Sequence, residues 1–250
     1  MIFIYLFISA VFLLLLYMYI EAHRNRVIFD SVKIDKLPRS FENFKIFFIS
    51  DVHKRKISEE IVLAAKKADL VIIGGDLVEK GVPMNRVEDN IKLLSKLGPV
   101  FFVWGNNDYD VEPAQLADTI VKQGARILDN TSFSIKKNNE EIEIVGINDI
   151  SLGYSSLEDA LHDCQSQCRI LISHNPDISK SITTHHSIQL VISGHTHGGQ
   201  IRLGPFGIAK KGGWYREDTH ILLVSNGYGA THLPLRLGAP SQTHLLSLTR

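Results

Sequence analysis

Cysteine is nearly absent from this chain: Cys164 and Cys168 are the only two in 250 residues. That scarcity excludes a disulfide-stapled framework and leaves no thiolate cluster for a structural zinc site. The pair is spaced four apart, which suits one face of a helix better than a disulfide, so both read as ordinary helix residues. Excess charge is absent too. The 27 basic and 27 acidic side chains cancel to a formal net charge of +0, which argues against a broad basic face for nucleic acid. Internal repeats are lacking. The polar run Asn138-Asn139-Glu140-Glu141 reads as a hairpin turn between strands at 132–136 and 141–145, not as a linker.

Residues 1–20 contain no Lys, Arg, Asp or Glu and are about long enough to span hydrocarbon. Tyr17 and Tyr19 suit the interfacial aromatic belt. A cleaved signal peptide would have a basic start and a small-residue exit, but no Lys or Arg precedes Ile20 and Glu21-Ala22-His23 is a poor cleavage site. The segment therefore reads as a retained single-pass anchor in the cell membrane. Arg24, Arg26, Lys33 and Lys36 all follow it, which predicts an outside amino terminus and a cytoplasmic body. The chain divides into the anchor 1–20, a juxtamembrane linker and first strand 21–43, and one domain 44–250 large enough for a substantial core.

Five short apolar runs each stop at a polar, metal-competent side chain. Residues 45–50 run into Asp51-Val52-His53, and 70–73 into Gly74-Gly75-Asp76. Residues 100–103 lead to Trp104-Gly105-Asn106-Asn107-Asp108, and 169–172 to Ser173-His174. The run 189–192 delivers Ser193-Gly194-His195-Thr196-His197. These are buried-strand patterns, and ligands for open metal sites favour loops at strand ends. Asp51, His53, Asp76, Asn106, His174, His195 and His197 offer carboxylate, imidazole and amide donors. That set suits Mn, Fe or Zn. Seven donors are too many for one tetrahedral ion but suit two ions sharing a carboxylate, an arrangement for hydrolysis at phosphorus.

The ordered motifs Asp51-x-His53, Gly75-Asp76, Gly105-Asn106, His174 and Gly194-His195-x-His197 resemble the calcineurin-like metallophosphoesterases over residues 44–250. His174-Asn175-Pro176-Asp177 and His195-Thr196-His197-Gly198-Gly199-Gln200 are most similar to a membrane-associated bacterial subgroup, which includes enzymes that hydrolyse lipid-linked pyrophosphates such as UDP-2,3-diacylglucosamine. The resemblance implies an α/β fold, a four-layer αββα sandwich of two mixed β-sheets flanked by helices. It implies that Asp51, His53 and His197 bind a first metal, that Asp76 bridges, and that Asn106, His174 and His195 bind a second. The implied activity is attack of a metal-bridging hydroxide on a phosphoester or pyrophosphate at a membrane surface, with manganese favoured. Where the family usually carries a histidine after the metal-binding Asn, this chain has Asn107. An amide can donate to a phosphoryl oxygen but delivers no proton at neutral pH. Asn107 and Asp108 are thus the candidate catalytic residues, Asp108 more as an orienting group than a ligand, with His232 as a substitute acid. A weakened binding or scaffold protein on the same fold is the alternative.

Helices are expected over 58–67, 86–97 and 113–122, from capping and apolar spacing. Alternation of strands with these helices predicts parallel pairing in the first half. Strands are also expected at 221–224 and at 243–248, the latter closing the sheet. Between His197 and Ile221, a Gly-rich, basic and aromatic stretch admits two readings. One is a substrate loop using Gln200 and Arg202 on phosphate; the other is a solvated hairpin. His185-His186, His162 and His220 read as polar residues without a partner pattern. Asp149 could support the ligands or cap the following turn.

Overall fold

The computed structural model describes all 250 residues, Met1–Arg250. The apolar amino-terminal segment forms helix α1 (Ile2–His23), exposed along its length except at Met18, Glu21 and Ala22. It is long and apolar enough to cross a membrane. Its last turn is seated on the body of the protein. The half-buried Arg55 guanidinium donates to the carbonyls of Ala22, His23 and Arg24 at the helix carboxyl end and to Tyr228 O. A cation there complements both the unpaired carbonyls and the helix dipole.

The body is built on two six-stranded mixed sheets. The first runs in the order β1 (Val27–Lys33), β12 (Thr243–Thr249), β2 (Lys45–Ile49), β3 (Leu70–Gly74), β4 (Val100–Val103), β5 (Arg126–Ile127). Strands β2 to β5 are mutually parallel, as the alternation with α2 (Glu59–Ala65), α3 (Met84–Leu94) and α4 (Pro113–Lys122) predicts. The carboxyl-terminal strand β12 enters between β1 and β2, parallel to one and antiparallel to the other. Strand β1 lies within 21–43, so the second part of that segment belongs to the folded body.

The second sheet runs β10 (Gly213–Arg216), β11 (Ile221–Val224), β9 (Ile188–Ser193), β8 (Arg169–Ile172), β7 (Glu140–Gly146), β6 (Thr131–Lys137). Its edges are two antiparallel hairpins, β6–β7 turning through Asn138-Asn139 and β10–β11. Helix α5 (Leu157–Leu161) packs outside it.

Strand periodicity assigns the layers. On β2, Ile46 and Phe48 face the second sheet, whereas Phe47 and Ile49 face the helices. On β3, Leu70 and Ile72 point inward, Val71 and Ile73 outward. The second sheet alternates likewise, with Ile170 and Ile172 inside and Leu171 outside. Both faces of each sheet are therefore apolar, and four layers result: helices, sheet, sheet, helix. One expectation fails. Cys164 and Cys168 share no helix face, because α5 ends at Leu161 and the segment after it is irregular. Cys164 packs in the outer core and Cys168 between the sheets. Both are free and buried, and burial raises the Cys164 thiol to about 11 and the Cys168 thiol to about 12.

Candidate metal centre

Strands β2, β3, β4, β8 and β9 end at the same rim of the sandwich, and each releases its polar residues there. Two overlapping groups form, Asp51–His53–His197 and Asp51–Asp76–His174, each with ligand-capable atoms within 4.8 Å of one another. His53 Nε2 lies 3.1 Å from His197 Nε2. His197 Nε2 is 3.3 Å from Asp51 Oδ1. Asp76 Oδ2 stands 3.3 Å from His174 Nε2 and 3.7 Å from His53 Nε2, so it faces an imidazole of each group. His195 meets His174 edge-on at a ring separation of 5.0 Å. Asn106 Oδ1 is buried with no hydrogen-bond partner.

This donor set fits divalent cations. Two bonds of about 2.0–2.2 Å at a right angle place their donor atoms about 3 Å apart, the spacing seen here. Two imidazole nitrogens facing each other beside two buried carboxylates, with an orphaned amide oxygen, leave donors that the protein does not pair internally.

The backbone supports the same reading. Asp51, His53, Asp76, His195 and His197 all have left-handed φ, between 48° and 69°. Such conformations cost of order 1–3 kcal/mol per residue and persist where surrounding structure enforces them. Gly194 is required by close approach, since a Cβ there would collide with Ser50 and Asp51.

A second ring of contacts aims the donors. His174 Nδ1–H donates to Gly74 O at 2.9 Å, which leaves Nε2 for the cluster. His53 Nδ1 meets Glu79 Oε2 at 3.0 Å, and Glu79 also takes Lys54 Nζ at 2.7 Å. His197 Nδ1 faces Arg236 Nη2 at 3.1 Å. Arg236 is fully buried and donates further to Asn226 O and Ala239 O. The Gly227–Gly229 turn after β11 clamps the ligand loop, with Gly229 N–H donating to Asp51 O at 2.6 Å. Sequence reading missed Glu79, whose only signal is its place three residues after Asp76.

Charge is unevenly held. Burial opposes ionisation of Asp51 and Asp76, yet neighbouring imidazoles hold both carboxyls below the usual range. Burial works against a proton on His174 as well, but Asp76 overrides it and pushes that imidazole up to about 10. His197 goes the other way. Burial, aided by Arg236 against the pull of Asp51, drives it down to about 3.

The profile of the family described as calcineurin-like phosphoesterase matches residues 44–199. This chain belongs to that family. It is 45% identical over 207 residues to YpbG of Bacillus subtilis, covering 81% of this chain and 80% of that protein. It is 29% identical over 214 residues to the phosphodiesterase YaeI of Escherichia coli, covering 79% and 76%. A transmembrane protein with a metallophosphoesterase domain from Danio rerio is 28% identical over 251 residues, covering 87% of this chain and 56% of its own. The chain is thus a metallophosphoesterase, a hydrolase, and the buried donor groups are those of a divalent-metal family.

Within this metallophosphoesterase the cluster opens into a cleft of about 580 Å³ lined by Asp76, Asn106, Asn107, His195 and His197, with His232 and Leu233. Asn107 donates its amide to Asp110 Oδ2 at 3.0 Å and accepts from Asn106 Nδ2 at 3.0 Å. His232, on the same cleft, is exposed and has φ 55°. Four sequence expectations need correction. Asp108 orients its neighbours as expected, its completely buried oxygens accepting the N–H groups of Asp76, Val78 and Gly105, but it does not line the cleft and is no catalytic group. Burial and the Asp76 charge raise its carboxyl to about 7. Arg202 is buried, donates to the carbonyls of Gly198, Pro205 and Ala209, and does not line the cleft, so it braces the loop instead of facing a phosphate there. Gln200 lines the cleft, but its amide is committed to Thr231 and Leu233. His220, expected to lack partners, is buried between Ser179 Oγ at 2.7 Å and Thr219 Oγ1 at 2.9 Å. Asp149 caps its turn, accepting from the Ser151 and Leu152 N–H groups.

Proposed function

We propose that the chain is a binuclear phosphoesterase acting at a membrane surface on phosphoester or pyrophosphate substrates, lipid-linked ones included. Asp51, His53 and His197 would hold one cation; Asn106, His174 and His195 the other; Asp76 would serve both. Manganese, iron and zinc all suit these oxygen and nitrogen donors. Bound there, two cations would polarise the phosphoryl group and supply a nucleophile by lowering the pKa of water. The position of Asp76 Oδ2 between His53 and His174 carries the proposal.

The protein's own groups divide the remaining work. Asn107 N–H is committed to Asp76 Oδ1 at 2.8 Å, so its backbone steadies the shared carboxylate while its side chain faces the cleft. The amide is placed to donate to a phosphoryl oxygen. The leaving group is either a good one that needs no acid or is protonated by His232, the exposed imidazole of the same cleft. With no histidine at position 107, good leaving groups such as a pyrophosphate are favoured. Helix α1 serves as a single-pass anchor, and the basic residues after it favour a cytoplasmic catalytic body.

The test is metal content and Mn²⁺-dependent hydrolysis of bis-p-nitrophenyl phosphate by the full chain in detergent, against Asp76→Ala. Two bound metals and turnover that falls by about a thousandfold or more in the variant are expected, a loss of several kcal/mol of charge stabilisation. No bound metal and no turnover would instead favour a binding or scaffold role.

A further inference from the structure

We infer that the hairpin at 200–209, with Leu233 beside it, is a bilayer-contacting surface that seats the mouth of the cleft against the membrane. The inference rests on reading α1 as a membrane span, and it assigns that membrane a second contact.

The hairpin is stiff. Leu203 and Phe206 exchange both backbone hydrogen bonds, at 3.0 and 3.1 Å. The buried Arg202 guanidinium ties its base together through Gly198 O at 2.9 Å, Pro205 O at 2.8 Å and Ala209 O at 2.7 Å. What this frame displays is apolar. Leu203 is 71% exposed, Phe206 78%, Ile208 95%, and Leu233 on the adjoining loop 67%. Exposed apolar side chains grouped on an ordered frame mark an interaction surface.

Its position selects the partner. Arg202 N–H donates to Leu237 O at 2.7 Å, Leu237 N–H to Gln200 O at 3.0 Å, and Arg236 N–H to Met18 O at 3.0 Å. The hairpin is therefore connected, through two neighbouring residues, to the end of α1. Met18 lies between Tyr17 and Tyr19, about 7 Å from the helix terminus at 1.5 Å per residue, the depth of an interfacial belt. Ile201, Ile208 and Leu233 also line the cleft that holds Asp76 and His195. Lys211 follows the hairpin, exposed, and suits an anionic headgroup, while Lys210 beside it is paired with Glu217 at 3.6 Å. A bilayer meeting α1 at this depth meets the apolar rim as well, and a phosphate carried on a lipid headgroup would reach the cluster without leaving the membrane surface.

The experiment labels single cysteines with nitrobenzoxadiazole in the full chain, reconstituted in vesicles of phosphatidylcholine and phosphatidylglycerol with and without doxyl-labelled lipid. Phe206→Cys and Ile208→Cys probe the hairpin, Ile8→Cys the helix, and Val121→Cys the far end of the strands. The native Cys164 and Cys168 are buried, and the unsubstituted chain treated alike gives the background. Blue-shifted emission that doxyl lipid quenches is expected at 206, 208 and 8, and neither effect at 121. Quenching at 8 with water-like emission at 206 and 208 overturns the inference while the anchor stands. A blue shift at 206 and 208 without quenching means protein, such as a second copy, covers the hairpin, and also overturns it. No quenching at 8 removes the anchor and the inference with it. None of these readouts depends on turnover, so loss of the hydrolase reading would be seen separately.

Discussion

The two sheets end at one rim but deliver different chemistry to it. The first supplies both carboxylates, Asp51 and Asp76, with Asn106 and a single imidazole, His53. The second supplies only imidazoles: His174, His195 and His197. Their support differs as well. Outside the first sheet, helices α2 to α4 build a core of 24 buried residues, whereas the outer core of the second has 11. Neither sheet alone holds a complete set of donors, and the closest approaches, His53 to His197 and Asp76 to His174, cross from one sheet to the other. The site is a property of the interface, so sheet packing and metal affinity should be coupled.

The largest effect that would sharpen this comparison concerns position 107, on the first sheet's side. Asn107→His should raise turnover of esters with poor leaving groups by about 10²–10⁴-fold, the usual worth of a general acid. Steady-state kinetics on an alkyl and a p-nitrophenyl ester would check it; equal gains on both would break the assignment. Phe48 lies between the sheets, and Phe48→Ala should cost about 3–5 kcal/mol. Denaturant unfolding followed at both sheets should then show one shared transition. Two separate transitions would mean that the halves are independent.

Glu79→Gln should weaken metal binding by about 10–100-fold, as expected for loss of a ligand's carboxylate partner. Calorimetric titration with Mn²⁺ reads it, and unchanged affinity would remove Glu79 from the site. A separate effect is on pH. His174 is raised to about 10 in the folded chain, so its contribution is full below the unfolded value near 6.5 and is lost as pH rises through 10. His197 is depressed to about 3, so the unfolded chain takes up the proton first and stability falls as pH drops from about 6.5 toward 3. The metal-free chain should therefore be most stable near pH 6.5, and thermal unfolding across pH 4–10 measures it. A monotonic profile would show that the two imidazoles are not held apart.

Much of the site could be read in advance because strand ends are local events. An apolar β run followed by Asp-x-His or Gly-His-x-His needs no distant partner to be recognised, and all five runs are strands. Parallel pairing of β2 to β5 followed from the intervening helices. What went unread was decided by long-range partners. Gln200 and Arg202 carry the groups of a phosphate site, yet Thr231 and Leu233, 31 and 33 residues on, take the Gln200 amide, and the fold turns Arg202 away from the cleft. Cys164 and Cys168 have helical spacing, but α5 stops before them and sends them into different cores. His220 shows no motif because its partner Ser179 lies 41 residues away.

By itself the sequence determined the donors, their order along the chain, the apolar alternation that makes two-faced sheets, and the charge-free first segment. Those follow from side-chain chemistry and periods of two and 3.6 residues. Only the tertiary structure decided that the donors of the two sheets meet within 3.1–3.3 Å. It also decided that Arg55 and Arg236 tie the helix end to the ligand loops, and that the arginine expected to hold phosphate instead stiffens an apolar rim. The reason is that buried donors must find acceptors wherever the packed chain places them, and local pattern carries no record of which carbonyl will be nearest.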